Sequence, residues 1–175
     1  MKKSMLLALL LLIAVAAGSF VSANQASPPF EMKTPINTNA PVKSKGEITI
    51  EAPVEEVWHI LTTINEWPSW QSEVTSAILE GEPAEGAEFH WKAGGLSFSS
   101  TIHTNQPMSE FGWTGKTFGA NAIHNWYFAS ENGRTVIRVE ESLQGVFPRL
   151  LRKSFQKNLD KGIETNLNDL KRAAE

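Results

Sequence analysis

An α+β fold, with an antiparallel sheet covered by one long helix at the end of the chain, is predicted by three observations. The stretch from Glu47 to Gln71, EITIEAPVEEVWHILTTINEWPSWQ, reads as a strand, a proline-started helix and a tryptophan-rich turn. A series of short segments between 74 and 143 alternates apolar and polar residues, the period of half-buried strands. The last segment, Phe147 to Ala174, instead repeats apolar residues at three- and four-residue steps, the period of one buried helix face. A helix with one apolar face needs another layer to cover, and the sheet supplies it.

Residues 1–23 have the pattern of a signal peptide. Lys2 and Lys3 form a charged start, Met5 to Ala17 an apolar core, and Val21-Ser22-Ala23 a small-residue cleavage site. Cleavage after Ala23 would leave a periplasmic or secreted chain; the alternative is a retained membrane anchor, since Met5 to Val21 approaches the length of a span. Cleavage removes two lysines and takes the formal charge from −3 to −5. That mild acidity gives no support to nucleic-acid binding, which usually needs a basic domain. There is no cysteine, so stability rests on burial, and six Trp and nine Phe fit that demand. Residues 24–45, rich in Pro, Asn, Thr, Ser and Lys, read as a flexible leader. One folded domain then occupies 46–175.

In that domain Ile48 and Ile50 alternate with Glu47, Thr49 and Glu51 as a first strand. Pro53 suits the start of a helix, where its missing N–H costs nothing. Glu55 and Glu56 follow in the first turn, where carboxylates meet the positive end of the helix dipole. Val57, Trp58, Leu61 and Ile64 give this helix its apolar stripe, and Trp67-Pro68-Ser69-Trp70 ends it. Val74 to Leu79 is a strand closed by Gly- and Pro-containing turns. Ala87 to Ala93 and Leu96 to Thr104 form a hairpin through Gly94-Gly95. Glu110 to Thr117 carries Phe111, Trp113 and Gly115 on one face, and Ala120 to Ala129 carries His124, Trp126 and Phe128. Asn132-Gly133 is a second strong hairpin signal before Thr135 to Leu143. The final helix aligns Leu151, Phe155, Leu159, Ile163, Asn166 and Leu170.

The A-P-x-E-x-V-W helix start and W-P-x-W turn resemble the START/polyketide-cyclase (SRPBCC) superfamily, in its polyketide cyclase/dehydrase-like branch. The likeness runs on through Phe89-His90-Trp91, Gly94-Gly95, Trp113-Thr114-Gly115, His124-Asn125-Trp126 and Glu140-Glu141, covering about residues 45 to 174. It implies a helix-grip architecture, in which the curved sheet wraps the last helix and encloses a cavity. It also implies a hydrophobic small molecule or lipid as partner, or a carbonyl compound undergoing cyclisation or dehydration. The motifs are specific for the fold more than for an activity, since one fold hosts many functions.

No nucleotide-binding or zinc motif is present, and no cofactor or metal is expected. His59, His90 and His103 fall on faces assigned to solvent. His124 differs, because alternation puts it on the inner face with Trp126 and Phe128. A hairpin centred near Glu131-Asn132 pairs His124 with Val139 and makes Glu141 its diagonal neighbour on the same face. The preceding turn, near Phe118-Gly119, sets Trp113 opposite His124. The His124–Glu141 pair admits two readings. The two groups satisfy each other inside the sheet, or they serve a ligand as orienting contacts or as an acid/base pair.

Trp67, Trp70, Trp91, Phe98, Trp113, Trp126, Phe155 and Gly162 complete the candidate ligand-binding set, with the Trp67–Trp70 turn as a gate. Gly162 on the inner helix face points to ligand room or to close packing. Arg149, Lys153, Lys157 and Lys161 form a basic stripe, either a solvated face or a contact for an anionic membrane surface. Whether the chain is an enzyme, a binding protein or an interaction module is left open by these residues.

Overall fold

The computed structural model describes residues 32–175. The signal-peptide reading of 1–23 and the first part of the leader lie outside those residues. Seven strands form one antiparallel sheet: β1 Val42–Ile50, β2 Val74–Leu79, β3 Glu88–Ala93, β4 Leu96–Gln106, β5 Glu110–Thr117, β6 Ala120–Glu131 and β7 Arg134–Gln144. Their spatial order is β1-β7-β6-β5-β4-β3-β2, a meander from β2 to β7 with β1 returned beside β7. Between β1 and β2 lie helix α1, Val54–Thr62, a single 3-10 turn at Ile64–Glu66 and the short α2, Trp67–Trp70. The chain ends in α3, Val146–Leu150, and α4, Arg152–Ala174. The predicted α+β helix-grip arrangement is the one observed.

Helix α4 lies on the inner face of the sheet, buried through Leu159, Ile163, Leu167 and Leu170. It comes closest at β1, where a Cβ added to Gly46 would stand 2.7 Å from Leu167 Cδ1 and 2.8 Å from Ile163 Cγ2. The missing side chain of Gly46 thus lets strand and helix pack directly. Helix α1 sets Val57 and Leu61, both fully buried, over β6 and β7. Trp58 meets Phe128 edge-on at 5.0 Å and Phe111 at 5.9 Å. Trp67 is 1% exposed and gives its indole N–H to the Leu61 carbonyl at 2.8 Å, which pins α2 to α1.

The long final helix is interrupted. Leu151 adopts φ −113° and ψ 35°, outside the helical range, so α3 and α4 are separate pieces. The apolar stripe drawn from Leu151 to Phe155 is broken there, and Leu151 is 54% exposed rather than buried.

The leader is also shorter than expected. Val42–Lys45 already belongs to β1, paired with β7 out to Leu143. Residues 32–40 lie against the outer face of the sheet: Asn125 Nδ2 donates to the Thr34 carbonyl at 3.1 Å, and the Asn37 N–H to Ser142 Oγ at 3.0 Å. Met32 and Ala40 are buried. Individual hydrogen bonds rather than an apolar period hold this strap, so hydrophobic patterning does not reveal it.

The strap changes the place of His103. Alternation sends this residue to the outer face, but the structure leaves it half-buried, beside Thr104 Oγ1 at 2.9 Å from Nδ1. Burial lowers its pKa to about 4, while hydrogen bonding to Asn125 and the charge of Glu85 pull the other way. Unfolded, the imidazole takes its proton near 6.5. Between those values the unfolded chain holds more protons, so stability rises with pH across that window. It is full above pH 6.5, falls as pH drops toward 4, and loses nothing further from this group below. Urea midpoints measured from pH 7 to 4 are expected to fall more steeply for the natural chain than for His103→Gln; parallel profiles would remove this assignment.

Candidate functional site

Between the sheet and α4 lies a cavity of about 310 Å³. Its walls come from Trp91 on β3, Leu96 and Phe98 on β4, Trp113 and Gly115 on β5, His124 on β6, and Glu141 and Leu143 on β7. Helix α4 closes it with Phe155, Leu159, Gly162 and Ile163, and with the amides of Asn158 and Asn166. One end is sealed by core aromatics: Trp67 packs on Phe89, Trp91 and Trp113 at centroid distances of 5.5, 5.8 and 5.5 Å. The other end lies at the turns, where Thr117, Ala120 and Asn121 line the cavity and Leu96 is both lining and 51% exposed. That end is the mouth.

The paired strands decide which side chains meet. Asn132 and Gly133 are the two turn residues, at φ 54° and 80°, a two-residue hairpin with Glu131 opposite Arg134. Phe128 therefore faces Ile137, Trp126 faces Val139, and His124 faces Glu141 directly. The turn lies two residues' worth of register away from the centre assumed from sequence. An even shift preserves the face, so the pair survives and becomes tighter than the diagonal contact expected. Trp113 stands opposite His124, as its turn implies.

His124 Nδ1 lies 2.7 Å from Glu141 Oε2, with the two side chains 7% and 14% exposed. A neutral imidazole makes that contact by donating Nδ1–H to the carboxylate, which leaves Nε2 as the acceptor nitrogen. Nε2 is wholly buried and has no hydrogen-bond partner among the described residues. The ring is held flat on the Trp113 indole, at 4.5 Å and 12°, and nearly parallel to Trp126 at 5.5 Å and 16°. An imidazole so clamped cannot turn away from the cavity without unstacking. Its orientation is fixed by aromatic walls and its tautomer by the carboxylate.

A second wall is the cross-strand pair of Trp91 and Phe98, stacked at 4.4 Å and 20°, with Trp91 Nε1 donating to Ser100 Oγ at 3.0 Å. Gly162 supplies space on the opposite side: a Cβ added there meets nothing within 4 Å. This glycine therefore faces room, not a tightly packed tryptophan.

Of the residues singled out in sequence, Trp91, Phe98, Trp113, His124, Glu141, Phe155 and Gly162 are brought together around the cavity. Trp67, Trp70 and Trp126 are not among its lining. Trp67 is sealed in the core behind Trp91 and Trp113, so it supports the wall from behind and has no room to act as a gate. Trp70 rests in a shallow surface depression with Ile60 and Ala173. Trp126 is buried at 1% exposure, beside the His124 ring. Asn158 and Asn166, which flank Gly162 by four residues on either side, were not among the predicted site residues. The signal for Asn166 was present, since a polar amide occupied a step of the apolar stripe.

Residues 41–175 match the family described as polyketide cyclase/dehydrase and lipid transport. No curated protein matches the chain. Among solved structures, a hypothetical protein of Helicobacter pylori superposes with a TM-score of 0.73 at 16% identity, covering 83% of this chain and 97% of its own. The Zhui aromatase/cyclase of a Streptomyces species superposes at 0.65 with 13% identity, over 75% and 92%. A START superfamily protein of Mycobacterium smegmatis gives 0.62 at 11% identity, over 75% and 96%. At such identities the likeness is one of fold.

Proposed function

The chain belongs to the polyketide cyclase/dehydrase and lipid transport family, and from that premise we propose that it binds a hydrophobic small molecule in the cavity between sheet and α4. The observation that carries this reading is the His124–Glu141 pair, held by aromatic stacking, on the wall of an otherwise mostly apolar space. Small-molecule sites have this character: apolar lining for affinity and a few placed polar groups for orientation. Trp91, Phe98 and Trp113 supply flat apolar area. The His124–Glu141 pair offers the polar contact for a hydroxyl or enol of the ligand. The amides of Asn158 and Asn166 offer further polar contacts along the helix wall. The apolar start of the chain, read as an export signal cleaved after Ala23, puts this binding protein in the periplasm or outside the cell.

Replacing His124 by Phe keeps a flat ring between the tryptophans and removes the acceptor. A single hydrogen bond contributes about 0.5–1.5 kcal/mol, so binding of an apolar ligand is expected to weaken roughly two- to tenfold while the fold survives. Unchanged retention in His124→Phe and in Glu141→Gln would show that the pair serves only the sheet.

Catalysis is the second reading, favoured by the same 2.7 Å contact. A carboxylate that fixes the imidazole tautomer also supports it as a proton acceptor. In that case Nε2 would take a proton from a carbonyl compound during cyclisation or dehydration. Turnover that disappears in His124→Phe while binding persists would establish the enzyme; binding with no turnover establishes the carrier.

A further inference from the structure

The cavity mouth is ringed by apolar side chains that the core does not use. Phe118 at the β5–β6 turn is 86% exposed, Val146 and Leu150 of α3 are 62% and 74% exposed, and Leu151 and Leu96 are 54% and 51% exposed. Phe118 and Phe147 hold this end together, with centroids 5.4 Å apart. Phe147 lies over Gly119, at φ 70°, where an added Cβ would stand 2.2 Å from its ring. The turn and α3 therefore form one surface.

Charge on this end is mostly positive. No Asp or Glu lies between Glu141 and Asp160, a run that carries Arg149, Arg152, Lys153 and Lys157, all exposed. Nor does any lie between Glu110 and Glu131, where Lys116 is the one charged residue. The nearest acids are accounted for. Glu141 is paired with His124, Asp160 accepts from Ser44 and Gln156, and Glu73 stands exposed beside Gly94 at the β3–β4 turn, so two exposed acids face the four cations of α3 and α4. A chain of net charge −3 thus presents a cationic, apolar face at the opening of its cavity.

We infer that this face docks on an anionic lipid bilayer, with Phe118, Val146, Leu150 and Leu151 entering the headgroup region and the four α3–α4 cations meeting lipid phosphates. Apolar side chains flanked by Lys and Arg are what interfacial binding requires, and the two contributions act together. Resting on the cavity reading for its purpose, the docking places the mouth against the membrane, so that an apolar ligand crosses between bilayer and cavity without passing through water. Two carbon-rich environments then meet at Leu96, which belongs to both the lining and the rim.

The chain has no cysteine, so a single introduced thiol can carry an environment-sensitive fluorophore. Full-length Phe118→Cys, Leu150→Cys and Glu82→Cys, each labelled, are mixed with phosphatidylglycerol or phosphatidylcholine vesicles. The expected result is a blue shift at 118 and 150 with phosphatidylglycerol alone, suppressed by high salt, and none at 82, in a turn away from the mouth. Reversing Arg152 and Lys153 to Glu is expected to weaken the response on the order of fivefold per cation removed. Absence of a shift at 118 and 150, an equal shift at 82, or a shift driven by self-association without vesicles overturns the proposal. The cavity reading is judged separately, by ligand retention without vesicles: retention without docking sinks only the membrane surface, and docking with an empty, non-binding cavity sinks only the ligand.

Discussion

Leucine at position 162 is expected to make the protein slightly more stable and to abolish its ligand retention. Gly162 lies within α4, where glycine is about 0.8–1.0 kcal/mol less favourable than alanine and leucine ranks close behind alanine. No atom lies within 4 Å of the added Cβ, so the new side chain grows into the cavity rather than into a neighbour. A gain of about 0.5–1 kcal/mol raises the midpoint by roughly 2 °C in a chain of this size. The four carbons of leucine then occupy space between His124, Trp113 and the helix that a ligand needs. Retention is expected to fall at least tenfold, equivalent to about 1.4 kcal/mol of binding. Thermal melting and titration with 1-aminoanthracene, run on the same preparations, would show the two quantities moving in opposite directions. A lowered midpoint would mean that Gly162 is packed tightly, and an unchanged titration that the space beside it is not the binding site.

Trp67→Ala is expected to carry the largest stability cost of any single substitution considered for this chain. The indole is 1% exposed, touches Phe89, Trp91 and Trp113 at 5.5–5.8 Å, and donates to the Leu61 carbonyl. Truncating a buried tryptophan costs about 3–5 kcal/mol, much of the roughly 5–15 kcal/mol by which a domain of this kind is folded. Two of its neighbours, Trp91 and Trp113, are cavity walls, so the damage extends to ligand retention without Trp67 touching a ligand. Trp67→Phe separates the contributions: it keeps most of the ring packing and leaves the Leu61 carbonyl without its donor, at about 1–3 kcal/mol. Urea unfolding measures both. A cost below about 1 kcal/mol for Trp67→Ala would show that the core closes around the missing ring, contrary to close packing of the rings around it.

The sequence made the fold legible where periodicity is strong, as in β3 to β7 and α4. It also made legible the face of each candidate residue. His124, Trp113 and Glu141 were placed together because strand alternation survives any even error of register, and the error made at Asn132-Gly133 was even. What alternation cannot tell is depth. Trp91 and Trp126 are the same residue type in similar alternating strands, yet one lines the cavity and one lies beside it, while Trp67 on α2 supports the wall from behind. The space beside the sheet is set by the helix, which packs closely at Gly46 and leaves room at Gly162. His103 and the strap over it were missed together, since a segment tied down by Thr34 and Asn37 carries no apolar period. The break at Leu151 interrupts a helical pattern that reads as continuous, and this concealed the exposed rim of the mouth.

Organic-solvent extraction of the purified full-length chain, read by mass spectrometry against Gly162→Leu, bears most directly on the cavity and its buried imidazole. The expected result is an apolar molecule present in proportion to the natural chain and missing from the substituted one. The same molecule recovered equally from both, or an extract of the natural chain no different from that of an unrelated protein, would contradict it.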